Sequence, residues 1–257
     1  MIPYLPQPHI AIWGTTFYAF GFLVALAIEA GWILMVWRAP RFCLERREVR
    51  RLTFHMLAWG YLGAHVLYWL LADRAGLVRR PSRLLNPLDG IYSFGGIACG
   101  LLAVMWFAHR YQLTRARFWG YLDLAAFVFP FSWTIARTGC ALAHDHPGVP
   151  STSWIAVRFP GEPRLDLGLI EMLFAAGLVG CFLLLSRREW PAPFYCGLFL
   201  FLYGPFRLWL DGLRDAPSAP DRLSGWSSLV LGGFLLMLAW RHRADPRDGA
   251  SPHVKAP

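Results

Sequence analysis

The sequence predicts an all-α, polytopic integral membrane protein of seven transmembrane helices, with the N-terminus outside and the C-terminus in the cytoplasm. Three observations carry that expectation. Of the 257 residues, 56% are hydrophobic and only 16% are charged, against about 25% charged in an ordinary soluble domain. Seven windows, residues 13–37, 54–72, 93–109, 117–136, 167–186, 193–211 and 223–241, are mainly apolar over the roughly 20 residues that a bilayer crossing needs. The 25 basic residues, all arginine except Lys255, are spread unevenly over the segments between those windows.

The same figures exclude other classes. A disordered chain would be poor in apolar residues. A disulfide scaffold would not carry an odd set of five cysteines (43, 99, 140, 181 and 196) with no CxxC pair. The net charge of +9 and the isoelectric point near 9.8 would suggest nucleic acid in a polar chain; in one this apolar they orient helices in a membrane. A soluble bundle of seven buried helices would need more polar sequence to cover it than this chain has.

Each element is justified in turn. The first window is a span and not a cleaved signal peptide, since no Lys or Arg precedes it and no A-x-A-like site follows. It runs into the densest basic cluster, Arg38, Arg41, Arg46, Arg47, Arg50 and Arg51. Counting that cluster, the other loops on its side and the C-terminal tail, 15 of the 25 basic residues fall on one face, which is therefore cytoplasmic. The long connections, 73–92, 137–166 and 212–222, face outward, and long loops are uncommon unless they serve function. Residues 1–243 read as a single membrane domain, and 244–257 as a polar, disordered tail.

Ionisable residues at membrane depth are costly and count as functional candidates. Glu29 and Asp123 fit helix ends or hydrogen bonds inside the bundle, and His65, after Gly63 and Ala64, fits a packed, satisfied histidine or a catalyst. Arg137 and Arg207 stand out, because arginine presents a permanently charged planar fork that matches phosphate. Snorkelling to the interface explains Arg214 and Arg222 but not Arg207, which apolar residues flank through Leu210. Arg207, Asp211 and Arg214 recur at i, i+4 and i+7, on one helical face, so Asp211 can hold either arginine. Ser93-Phe94-Gly95-Gly96-Ile97-Ala98-Cys99-Gly100 fits close approach of a ligand at Gly95 and Gly96, or simple helix packing. The polar run from Arg137 to Gly148 holds Cys140, His144, Asp145 and His146. These read as a loop structure, as a site with a general base at one histidine, or as metal ligands. No second ligand cluster accompanies them, so neither a metal nor a cofactor is expected.

Taken in order, these segments resemble the prolipoprotein diacylglyceryl transferase family over about residues 10–240. The resemblance rests on a Gly- and Phe-rich first span, Gly60 to Tyr68, Ser93-Phe94-Gly95-Gly96, Arg137-x-Gly139 with Gly148 beyond it, Glu171 after Asp166-Leu167-Gly168, the block Tyr203-Gly204-x-x-Arg207-x-x-x-Asp211-x-x-Arg214, and Leu223-Ser224-Gly225-Trp226. It implies transfer of diacylglycerol from phosphatidylglycerol to the lipobox cysteine thiol of a preprolipoprotein, at the outer face of the bacterial inner membrane. Arg137 and Arg207 would then hold the phosphate. Glu171, Asp145, Asp211 and Arg214 would position them, Gly148 would shape the loop, and Gly95, Gly96, Cys140 and Tyr203 would line the substrate site.

The chain departs from the family pattern at several places. Phe94 stands where the family's third span carries a functional histidine, and Cys140 where Arg-x-Gly is followed by Asn. Leu165-Asp166-Leu167-Gly168 replaces His-Pro-x-Gln, Trp226 replaces Gln, and Tyr61 an arginine. The resemblance is therefore to a divergent member, in which His144 or His146 would supply the base. A repurposed phospholipid-binding paralogue that has lost the chemistry is the alternative.

Overall fold

A computed structural model describes residues 1–13, 15–86, 90–214 and 219–244. The chain is mostly helical, and, apart from the start of the first, the apolar windows lie on helices. These are α1 (Ala19–Arg38), α2 (Arg46–Leu67), the short α3 (Arg74–Arg79), α4 (Ser93–Arg110), α5 (Arg115–Ala143), α6 (Leu167–Leu185), α7 (Phe194–Asp211) and α8 (Ala219–Ala244). Two stretches, Ala19–Phe42 and Leu167–Leu185, are by themselves long and apolar enough to cross a bilayer among the described residues. Large apolar side chains lie open to the surroundings along α1, α4 and α8, including Phe22, Ile33, Leu102, Trp106, Val230 and Trp240. Exposed apolar surface of that extent marks contact with a membrane. The polar tail expected from residue 244 lies, from 245 onward, outside the described residues.

The all-α expectation is corrected by two small antiparallel sheets. Strand β1 (His9–Ile12) pairs with β2 (Thr15–Tyr18), so the first window is a strand up to Tyr18 and helix only from Ala19. The reason is local: Thr15-Thr16-Phe17-Tyr18 is a β-branched and aromatic run, and Trp13 sits at φ 49° in the turn before it. The second sheet is built from the connection expected to be a loop. Its central strand is β5 (Pro163–Asp166), flanked by β3 (Pro147–Pro150) and β4 (Val157–Arg158).

The chain forms two compact units, residues 35–121 and residues 1–34 with 122–257. In the first, α2 and α4 meet through glycines. A Cβ on Gly95 would stand 2.5 Å from the Gly63 carbonyl oxygen, and one on Gly60 would stand 3.2 Å from that of Gly96. His65 is buried, with Nδ1 3.1 Å from the Gly90 carbonyl and Nε2 2.9 Å from that of Leu84. It is a satisfied histidine that clamps the segment after α3. Glu48 pairs with Arg117 and accepts from the buried Tyr121 hydroxyl at 2.7 Å.

In the second unit, α7 and α8 cross on Gly197, Gly204, Gly225 and Gly232; a Cβ on Gly204 would lie 2.8 Å from the Gly225 carbonyl oxygen. Asp123, fully buried in α5, accepts from the Cys196 N–H at 2.8 Å and so caps the first turn of α7. Asp166 ends β5 and caps α6, accepting from the Leu169 N–H at 3.1 Å. Leu167, Ile170 and Leu210 form a small apolar core there, with Phe206 and Leu213 against it. That core fixes α6 against the end of α7. Glu29 lies exposed midway along α1, neither at a helix end nor inside the bundle.

Candidate active site

The site is assembled in the second unit by three helices. Arg137 lies two turns before the end of α5, because the helix continues through Thr138-Gly139-Cys140 to Ala143 where the sequence predicts a loop. Gly139 allows this continuation beside Phe20 of α1, whose Cδ2 would lie 3.2 Å from an added Cβ. Glu171 sits in the first turns of α6, one helical turn past the apolar Leu167. Arg207 and Asp211 share a face of α7, and Arg214 follows its last turn. Pro205 stands within α7, two residues before Arg207.

These five side chains form one ionic row. Arg137 pairs with one oxygen of Glu171, and Nη1 of Arg207 lies 3.8 Å from the other. Nε of Arg207 is 3.2 Å from Asp211 Oδ1, and Nε of Arg214 is 3.2 Å from the same oxygen. The carboxylates are buried, with side chains 3% and 1% exposed, while Arg207 is 12% and Arg137 23% exposed. Burial makes each pair depend on its geometry, since a lone charge there is costly. Three arginines against two carboxylates leave one positive charge over, on the members that solvent reaches. Such a row suits an anion, and phosphate is among the groups that arginine forks match bidentately.

Glu171 thus joins Arg137 to Arg207, and Asp211 joins Arg207 to Arg214. Tyr203 lies one turn before Arg207, its ring 5.7 Å from those of Trp133 and Phe199, so the row has an aromatic wall. Gly148 packs where no side chain fits, with the Leu213 carbonyl oxygen 2.8 Å from an added Cβ, while Val149 N–H donates to that oxygen at 2.9 Å. This ties β3 to the turn that carries Arg214.

One expectation is corrected. Asp145 does not hold the arginines; it is partly exposed and pairs with His146 at 3.8 Å. His144, a candidate base by its sequence, is largely covered and bound to a carboxylate. Its Nδ1 lies 2.6 Å from Asp166, and its ring stacks on Tyr4 at 4.6 Å with Phe159 edge-on at 5.5 Å. The physical cause is its φ of 53°, which turns the chain at the end of α5 and swings the ring under the N-terminal segment. His146 remains open, its side chain 47% exposed. Gly95 and Gly96 lie in the other unit, at the α2–α4 crossing, where close packing already requires a small residue. The side chain of Phe94 lies outside the described residues.

Two further contacts tie Cys140 and Asp166 to the site. Nη1 of Arg137 lies 3.5 Å from the Cys140 sulfur, which brings the Cys140–His146 run to the end of the ionic row. Asp166 serves two ends at once, capping α6 and holding His144. An Asp directly before an apolar run is a helix-start signal, so its cap is readable in the sequence, whereas the contact with His144 is not.

The model of the prolipoprotein diacylglyceryl transferase family matches residues 8–241. Relatives named phosphatidylglycerol–prolipoprotein diacylglyceryl transferase include one from Sodalis glossinidius, 28% identical over 93% of this chain and 92% of its own length. Another, from Aeromonas salmonicida, is 32% identical over 80% of this chain and 74% of its own. A third, from Ectopseudomonas mendocina, is 24% identical over 98% of this chain and its full length. With an arginine–carboxylate row standing where the motif residues of the sequence converge, and a match that runs through nearly all its helices, the chain belongs to the prolipoprotein diacylglyceryl transferase family.

Proposed function

We propose that this protein transfers the diacylglyceryl group of phosphatidylglycerol to the cysteine thiol of a prolipoprotein, as its relatives are named for doing. The observation that carries this reading is the row in which Glu171 joins Arg137 to Arg207. The acceptor thiolate attacks the glyceryl carbon next to the phosphate, the carbon–oxygen bond breaks, and glycerol phosphate leaves with that electron pair. Charge grows on the departing phosphate, so fixed guanidinium groups aimed at it act more strongly on the transition state than on the bound lipid. Arg137 and Arg207 take that role. Asp211 and Glu171 keep both forks aimed, and Arg214 balances Asp211.

The setting belongs to the same proposal. Seven spans, an outside N-terminus and a cytoplasmic C-terminus follow from the seven windows and the basic cluster after α1. On this reading the arginine row stands at the outer face of a bacterial inner membrane, where phosphatidylglycerol and an exported prolipoprotein both arrive.

The purified protein, given phosphatidylglycerol and a lipobox peptide, is expected to yield the thioether-linked diacylglyceryl peptide. Arg137→Ala and Arg207→Ala should each lower the rate by about 10²-fold or more, the scale of losing one preorganised charge donor. Absence of the thioether product under conditions where an established relative forms it would overturn the proposal.

A further inference from the structure

The turn at the end of α5 gathers three metal-ligand side chains that the ionic row does not use. His144 closes the helix, its N–H donating to the Cys140 carbonyl at 2.9 Å, and its left-handed backbone sends the chain back over the helix end. As a result the Cys140 sulfur, an Asp145 oxygen and a His146 ring nitrogen all lie within 4.8 Å of one another. The turn is held from both sides. His144 is bound to buried Asp166, and the His146 carbonyl accepts from the Leu167 N–H at 3.0 Å. Cys140 is buried, whereas the side chains of Asp145 and His146 are 39% and 47% exposed.

We propose that Cys140, Asp145 and His146 bind a zinc-class divalent ion whose open fourth position receives the acceptor thiol. The ligand set is one thiolate, one carboxylate and one imidazole, all of which zinc takes at about 2.0–2.3 Å in tetrahedral geometry. Tetrahedral ligands at that range stand about 3.5 Å apart, so the exposed Asp145 and His146 side chains close by about 1 Å on binding. Thiolate and carboxylate neutralise the ion's two charges, while the adjacent Arg137 is already met by Glu171. Three protein ligands are the number found in catalytic zinc sites; structural sites have four.

The location gives the ion a task, and here the inference rests on the transferase reading. Group transfer to a thiol proceeds through the thiolate, and the His144 side chain is only 9% exposed, covered by Tyr4 and Phe159. A thiol that coordinates such an ion gives up its proton to solvent. The sulfur then forms its bond to the glyceryl carbon as the carbon–oxygen bond to phosphate breaks, and the leaving oxygen takes the electron pair. Arg137 lies 3.5 Å from the Cys140 sulfur and belongs to the phosphate-holding row, so the ion stands next to that row and the acceptor thiolate it binds attacks the glyceryl carbon in line with the departing oxygen.

The test is metal binding by the purified full-length protein in detergent, with zinc chloride and with cobalt chloride as the spectroscopic probe. One zinc per chain is expected. Cobalt should give a thiolate charge-transfer band that disappears in Cys140→Ser, and His146→Ala, a surface change that spares the buried helix end, should weaken binding more than about 10-fold. Adding a lipobox peptide should intensify the band, and its cysteine-to-serine version should not. Substoichiometric zinc, a band that survives Cys140→Ser, or no response to the peptide thiol would each overturn the proposal. So would full-rate transfer by chelated protein, which leaves the transferase reading standing. The expected spectra with no transfer in any preparation would uphold the metal site and remove the transferase reading.

Discussion

Glu171 is the residue on which Arg137 and Arg207 meet, and its position makes a prediction separate from those for the arginines. Its side chain is 3% exposed and has a guanidinium at each oxygen. Glu171→Gln keeps the shape, removes the charge and leaves two arginines facing each other in a buried place, where an unpaired charge is strongly unfavourable. The Arg137 fork should then swing toward solvent, while Asp211 still holds Arg207. The expected result is a fall of about 10²-fold in kcat with a much smaller change in KM, since positioning for the transition state is lost while the arginines still attract the lipid anion. Steady-state kinetics with phosphatidylglycerol and a lipobox peptide decide it; a rise in KM alone would show that Glu171 serves binding and not alignment.

At the level of elements, the glycines of the α2–α4 crossing separate two roles that the sequence leaves open. A Cβ on Gly95 would stand 2.5 Å from the Gly63 carbonyl oxygen and 2.9 Å from Leu67 Cβ, and neither backbone can yield cheaply. Gly95→Ala should therefore destabilise the protein by about 1–3 kcal/mol, the usual cost of overpacking, seen as a lower thermal midpoint in detergent. Unchanged stability with lost activity would assign Gly95 to substrate instead. The helices themselves were legible because an apolar run of about 20 residues is the length a bilayer demands and more than most buried core helices need. The strands were hidden: residues 13–18 run without a break into the apolar helix that follows, and 147–166 carries proline and polar residues that read as a loop. The arginine row was legible from the i, i+4, i+7 spacing in α7 and from the cost of Arg207 among apolar neighbours. Its join through Glu171 is a contact between helices far apart in sequence, which the resemblance supplied and spacing alone could not. The His144–Asp166 contact was illegible for a like reason, as it depends on a left-handed residue that no composition rule announces.

For the molecule as a whole, sidedness is the property on which the proposed chemistry depends, because an exported acceptor is met only at the outer face. The charge count puts the basic cluster from Arg38 to Arg51 in the cytoplasm and the 147–166 sheet outside. Two positions report on this. Cys43 is exposed beside the basic cluster, and Trp154 is 80% exposed in the connection between β3 and β4. In spheroplasts, a chain keeping Cys43 as its one cysteine should resist a membrane-impermeant maleimide until the cells are lysed. A cysteine-free chain carrying Trp154→Cys should be labelled without lysis. The two results must be opposite, and an inverted chain would reverse both. Labelling of Cys43 in intact spheroplasts would place the arginine row on the cytoplasmic face, away from any exported prolipoprotein. It would thereby remove the proposed acceptor while leaving the phosphate site intact.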